Sequence, residues 1–362
     1  MKLFRPQLLV VSLLASGSAV SAPYVEFGFL GEATFETGHI FEGVELGGLS
    51  GIDYDVATGN YIAISDDRAQ NGPARFYELS IDLADGSLSD GDIEFLSMTE
   101  MLDRDGDSFL PASVDPEAIR IKGFPKLLYW TSEGDANAGV GPFVRIMTAQ
   151  GDHVDEFQIP EKYFPTGDQG IRNNLAFESL TFSANGKHLY TATEGALVQD
   201  GPTATTENGS PVRILKLNGR TGEPMKEMIY LTDPVVDEPN PAGSFSTNGL
   251  VELMAVDHET FVAVERSFSV GAGNNIRLYL TWGQGASNVK NVTSIEEKRR
   301  LKVMKKHLLL DLADMGINPD NIEGITFGPD LPSGEKTLIL VSDNNFNPNG
   351  QITQFLAFKV SY

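Results

Sequence analysis

From residue 25 onward the chain consists of short apolar runs rich in Val, Ile, Leu, Phe and Tyr, each bounded by Gly, Asp, Asn or Pro. Runs of that length with turn residues at both ends predict strands joined by tight connections. They fall into sets of four: 51–54, 61–65, 75–81 and 93–98; 118–121, 127–131, 143–147 and 154–159; 179–182, 189–193, 212–217 and 227–231; 253–256, 261–264, 276–281 and 306–310. A fifth set has three members, 324–327, 337–341 and 352–360, and its missing partner is expected to be the strand left over at the other end, 25–35. Strands from both ends completing one sheet close the ring of a propeller. The expected fold is all-β: a β-propeller of five four-stranded blades in a single domain over 23–362. A sixth blade is left open in the long connections 200–211 and 233–247. One insertion, 283–306, is predicted to hold a short helix over 294–303, with Glu296, Glu297, Lys298, Arg299 and Arg300 on a solvated face.

Polar positions repeat as well. An acidic or hydroxylic residue opens the first strand of each set and a carboxylate closes the second: Ser50 with Asp66, Glu117 with Glu133, Glu178 with Glu194, Glu252 with Glu265, and Glu323 with Asp343. The pairs are spaced by 16, 16, 16, 13 and 20 residues, and their leading members recur every 67, 61, 74 and 71. Such a period marks units that bury their faces only by stacking. In a radial stack the innermost strands face the channel, so the nine carboxylates converge there. Like charges crowded together repel, and an unpaired buried charge costs several kcal/mol. The cluster therefore calls for cations, and Ca2+, which takes six to eight oxygen ligands in irregular geometry, suits it. Asp67, beside Asp66, joins the candidate ligands.

Arginines recur too. Arg75, Arg145, Arg213 and Arg277 open the third strands, with Gln354 in that place in the fifth set, and are read as structural partners of blade carboxylates. Arg68, Arg120, Arg172 and Arg266 lie next to repeated acids or in loops leading to them, which makes them candidates for gripping an anion in bidentate fashion. Loop motifs that include Ser65 to Arg68, Arg172-Asn173-Asn174 and Asp343-Asn344-Asn345 add oxygen ligands and amide donors at matching positions. By contrast, Asp103 to Asp107 fails the spacing of a calcium loop and reads as a surface turn, and the five histidines are too scattered for a zinc site.

The formal charge of -23 argues against a nucleic-acid partner and is compatible with cations. Lys2 and Arg5, the apolar run 8–15 and small residues through Ala22 read as an export signal, with a mature chain starting near 20–23 and no membrane anchor after cleavage. With no cysteine there is no disulfide and no lipobox for a lipoprotein; a periplasmic or secreted location and a monomer are expected.

The stretches 47–55, 65–68, 115–120, 170–174, 321–328 (Asn-Ile-Glu-Gly-Ile-Thr-Phe-Gly) and 342–346 (Ser-Asp-Asn-Asn-Phe) resemble the phytase-like, "esterase-like activity of phytase", family of exported bacterial proteins, over about 43–358. The resemblance implies a propeller with an acidic, cation-filled face and a small phosphoester substrate. It further implies Ca2+ held by the carboxylates, a water activated for in-line attack and an arginine that stabilises developing charge. In this scheme Arg68, Arg172 and Arg266 take the catalytic role, and Arg120, Asn173, Asn174 and Asn344 contact substrate. The distant propeller phytases would imply six blades, whereas the strand count gives five. Two other functions fit the same residues: a non-catalytic binding propeller with acids and arginines locked together, and a carboxylic ester or lactone hydrolase.

Overall fold

The computed structural model describes residues 25–361, so the proposed export signal, 1–22, lies outside the described residues. After the outer strand β1 (Glu26–Glu36) comes a small hairpin, β2 (Ile40–Phe41) and β3 (Val44–Glu45). Blade 1 follows with β4 (Leu49–Tyr54), β5 (Tyr61–Ser65), β6 (Arg75–Ile81) and β7 (Ile93–Glu100). Blade 2 contains β8 (Pro116–Lys122), β9 (Leu127–Ser132), β10 (Phe143–Thr148) and β11 (His153–Glu156). Blade 3 contains β12 (Phe177–Phe182), β13 (His188–Thr193), β14 (Pro211–Asn218) and β15 (Pro224–Leu231). Blade 4 contains β16 (Ser246–Asp257), β17 (Thr260–Ser269), β18 (Gly273–Trp282) and β19 (Lys305–Asp311). Blade 5 combines β20 (Asn321–Phe327), β21 (Lys336–Asp343) and β22 (Ile352–Ser361) with β1, in the order β1-β22-β21-β20. The register runs antiparallel from Glu26 opposite Ser361 to Glu36 opposite Ile352.

Five four-stranded blades and closure by the first strand are thus what the strand pattern predicted. The connections 200–211 and 233–247 hold no further blade. Each blade is hydrophobic on both faces because it stacks between two others, and one apolar cluster fills every junction. Leu49, Ile52 and Tyr77 meet Ile339 and Phe355 between blades 1 and 5. Ile64 and Phe76 meet Leu128 and Trp130 between blades 1 and 2. The other three junctions centre on Phe177, Phe261 and Phe358. Strand β5 is therefore buried at every position, whereas the outer β7 alternates with exposed residues.

The innermost strands nearly touch. A Cβ on Gly51 would sit 2.7 Å from the carbonyl oxygen of Glu117, and one on Gly324 would sit 3.2 Å from the amide of Ile52. Blades 1, 2 and 5 therefore meet backbone to backbone at the axis.

The insertion differs from expectation. Only Ile295–Glu297 forms a 3-10 turn, capped by the Ser294 hydroxyl, and no α-helix spans 294–303. Tertiary bonds override the local helical preference: Met304 N donates to Ile229 O and Ser287 N to Lys302 O, while Ile295 packs on Ile229 and Val289. Asp103 to Asp107 is a tight turn in which the Asp103 side chain accepts the amides of Asp105 and Asp107. Among the described residues, no helix is long and apolar enough to cross a membrane.

Candidate functional site

In four blades the first strand carries a β-bulge at the repeated polar residue, where the register skips between Leu49 and Gly51, Pro116 and Ile119, Phe177 and Ser179, and Ile322 and Gly324. A bulged residue is released from the ladder and its side chain re-aimed. Ser50, Glu117, Glu178 and Glu323 are released in this way and converge, so that Ser50 Oγ lies 2.6 Å from carboxylate oxygens of both Glu117 and Glu323. A second tier follows at the ends of the neighbouring strands: Asp66, Glu133, Glu194 and Asp343, all buried to some degree within the acidic end of the channel.

Blade 4 breaks the repeat. Its bulge lies between Leu250 and Glu252, and Leu250 stands opposite Glu265 as Phe177 stands opposite Thr193. The residues equivalent to the two tiers are therefore Val251 and Arg266, not Glu252 and Glu265 as the acidic pattern suggested. Side chains alternate along a strand, so a one-residue offset sends them elsewhere. Glu252 instead plugs the channel core, accepting from Arg120 Nη2 at 2.5 Å and from the amides of Leu180 and Leu253. Glu265 is held by Tyr230, Asn248, the amide of Asp233 and Lys306.

A cavity of about 930 Å³ opens over the tiers, lined among others by Asp66, Asp115, Glu117, Glu178, Glu323 and Asp343. Among the described residues, the cations lining it are Arg68 and Arg266. Arg266 is only 9% exposed and bridges Glu194 (3.0 Å) and Glu323, with Asn321 at 2.6 Å. Arg68 lies at the rim, 2.7 Å from Asp135 and 3.4 Å from Asp115.

Two guanidinium groups do not neutralise this many acids. Burial, reinforced by neighbouring carboxylates, pushes Asp66, Glu117 and Glu178 well above their ordinary range and raises Glu133 and Asp343 to about 8. Burial also lifts Asp115 to about 7 against the opposing pull of Arg68, and raises Glu194 against the pull of Arg266. Ser50 reports the same excess, because one hydroxyl proton cannot be donated to Glu117 and Glu323 together. One of those carboxyls must carry a proton and donate it to Oγ, or a cation must take its place.

Oxygens of Asp115, Glu117 and Glu133 lie within 4.8 Å of one another. This donor set, all carboxylate oxygen with no nitrogen or sulfur, suits a hard divalent ion such as Ca2+.

The remaining predicted residues are dispersed. Arg120 faces Glu252 and the opposite mouth of the channel. Arg172 donates to the carbonyls of Ala196 and Gly201 and so fastens a loop. Asn173 is an exposed residue accepting from the amide of Asn137, while Asn174 lines the cavity with a left-handed backbone (φ 56°). Asn344 is fully buried and accepts from the amides of Gly48 and Phe346. Asp67 is fixed at 2.6 Å by Arg75, and both side chains are sealed from solvent. Arg213 makes sealed pairs of the same kind with Asp200 and Glu227, while Arg145 with Glu156 and Arg277 with Asp311 form partly exposed ones.

Residues that the repeated acids did not single out are Asp115, Asn321 and the aromatic rings of Phe245, Phe268 and Phe346 at the mouth. A signal for the first two was present: each stands two positions before its ring glutamate.

No curated protein matches the sequence. Solved structures similar to it include the Dos1 propeller, with 7% identity and a TM-score of 0.36, covering 86% of this chain and 68% of that one. The RRP9 WD40 repeats show 10% identity and a TM-score of 0.37, covering 92% of this chain and 97% of that one. The periplasmic gluconolactonase PpgL of Pseudomonas aeruginosa also shows 10% identity and a TM-score of 0.37, covering 88% and 87%. At those scores the likenesses carry no argument about this chain's activity. Over residues 44–346, however, the sequence matches the model of the phytase-like family, described as esterase-like activity of phytase, and the chain belongs to that family.

Proposed function

We propose that this protein is an exported, monomeric, divalent-cation-dependent hydrolase acting on a small organic phosphate, with Ca2+ as the ion. The observation that carries the reading is the imbalance at the channel end, where many converging buried carboxylates are served by Arg266 and Arg68. Asp115, Glu117 and Glu133 would hold the ion, with Asp66, Glu178 and Asp343 close by. A bound divalent ion supplies a Lewis acid and lowers the pKa of a coordinated water.

The chain's own residues supply the rest. Arg266, buried and held by two glutamates and Asn321, presents a fixed positive charge to the cavity and orients an anion there. Arg68 adds a second charge at the rim. Glu178, whose carboxyl is pushed upward by burial and by Glu133, stands as the candidate donor of a proton to a leaving alkoxide. The family membership, the export-signal pattern of the sequence and the absence of cysteine support the reading and its periplasmic or secreted setting.

The test is a metal inventory of the purified protein, thermal melts with and without Ca2+, and a phosphoester panel with Ca2+, Mg2+ or Mn2+. Bound calcium with turnover is expected. No metal, no shift in melting and no hydrolysis would sink the proposal. Binding of a cation and an anion without turnover would favour the non-catalytic alternative, for which the Arg266 bridge to Glu194 and Glu323 is the relevant observation.

A further inference from the structure

The acidic cavity is not uniformly acidic. On the blade 4 side its wall is aromatic: Phe245, in the connection just before β16, is 66% exposed, and its ring centroid lies 6.2 Å from that of Phe268 at the end of β17. Across the mouth stands Phe346, whose ring lies 5.7 Å from the Arg75 guanidinium.

Two further features mark this as a built surface. Asn345 and Phe346 both hold φ near +48°, a conformation that is uncommon for any residue with a side chain and strained for a bulky one. The strained loop packs the Phe346 ring over Arg75 and against Gly48 at the edge of the same cavity. On the same blade 4 wall Asn274 stands directly opposite Phe268 in the strand register; its residue lines the cavity, and its Oδ1 is buried without a hydrogen-bond partner in the protein. An orphaned buried acceptor costs free energy unless something donates to it.

Size points the same way. Pockets of about 300 to 1,000 Å³ accommodate drug-sized ligands, and at about 930 Å³ this one has room for far more than a phosphate group. An exclusively polar polyanion would leave Phe245 and Phe268 facing water and would bring further negative charge onto Asp320 and Glu323, which line the same region.

Building on the proposed phosphoesterase reading, we infer that the substrate is amphiphilic: an aryl or comparably flat apolar group seated against Phe245 and Phe268, with its anionic end directed toward Arg266. The two phenylalanines are specificity determinants and take no part in bond making.

Calorimetric titration of the intact protein in Ca2+ tests this with three probes: 1-naphthylphosphonate, methylphosphonate and uncharged 2-naphthol. Wild type is expected to bind the naphthylphosphonate at least about tenfold more tightly than methylphosphonate, the scale of burying an aromatic face. Phe245→Ala, at a solvent-exposed position that the fold does not depend on, should remove most of that preference and leave methylphosphonate binding unchanged. Phe268→Ala, used once its circular dichroism matches wild type, should do the same. Equal affinities for the two phosphonates, or a preference untouched in Phe245→Ala, overturns the inference. If neither phosphonate binds while naphthol binds in a Phe245-dependent manner, the apolar subsite stands and the phosphate reading falls. If naphthol does not bind either, both fall.

Discussion

Arg266→Gln is the most informative single perturbation. In the folded chain this guanidinium is 9% exposed and touches Glu194 at 3.0 Å, Glu323, and Asn321 at 2.6 Å. Removing one member of a buried ion pair typically costs about 3 to 5 kcal/mol, because the partner is left charged and unsolvated. An unfolding entropy of about 2 cal/mol/K per residue over residues 25–361 gives roughly 0.7 kcal/mol per degree. The expected fall in melting temperature is therefore about 4 to 7 °C at pH 8 without metal. The sign of the pH dependence follows from Glu194. Its carboxyl is already raised by burial, Arg266 is the main influence opposing that rise, and loss of Arg266 raises it further. At pH 5 the stranded Glu194 takes up a proton more readily in the folded state than at pH 8, so the variant should lose less stability there. Thermal melts of both proteins in EDTA at pH 5 and pH 8 decide the matter. An equal loss at the two pH values would show that Arg266 matters through packing alone, and no loss at all would falsify the charge argument.

Other outcomes follow from the same site. Asp115, Glu133 and Asp343 have folded pKa values raised to about 7, 8 and 8, so the folded state binds more protons than the unfolded one between the ordinary carboxylate range and those values. Metal-free stability should therefore decline from pH 5 to pH 8.5, and millimolar Ca2+ should flatten that decline; urea titrations across the range would show it. Glu133→Gln combined with Asp115→Asn should raise metal-free stability at pH 8 and abolish stabilisation by Ca2+, as read by differential scanning fluorimetry. Arg213→Met strands Asp200, sealed from solvent, and leaves Glu227 to Lys162 alone; it should cost about 3 to 5 kcal/mol while leaving the response to Ca2+ intact. Gly51→Ala forces a methyl to within 2.7 Å of the Glu117 carbonyl oxygen and should cost about 1 to 3 kcal/mol by overpacking at the axis, measured by equilibrium unfolding.

The blades and their closure were legible because strand periodicity is a local property, and five sets of runs survive any uncertainty about turns. Tier membership was less legible. Val251-Glu252-Leu253 offers an acid where an acid was sought, yet the bulge that decides which residue faces the axis leaves no mark on composition. The unequal spacing of 13 in that pair was the visible trace of the offset. Arg266 stood out as an arginine beside a repeated acid, but its place within the second tier follows only from strand register. Arg172 and Asn344 read as ligand donors because loop residues of those types can serve a site or fasten a turn, and sequence does not distinguish the two uses. Phe245 and Phe268 are joined by the blade 4 hairpin, whereas Phe346 comes from blade 5, so only the closed ring brings it to the same cavity.

The one-residue offset of blade 4 also gives the molecule a compass. Five identical spokes would present a visiting molecule with equivalent poses, each as favourable as the next. With a fixed positive spoke between two negative ones, rotation about the axis is no longer neutral, so a guest of mixed character has a preferred bearing before any of its atoms react.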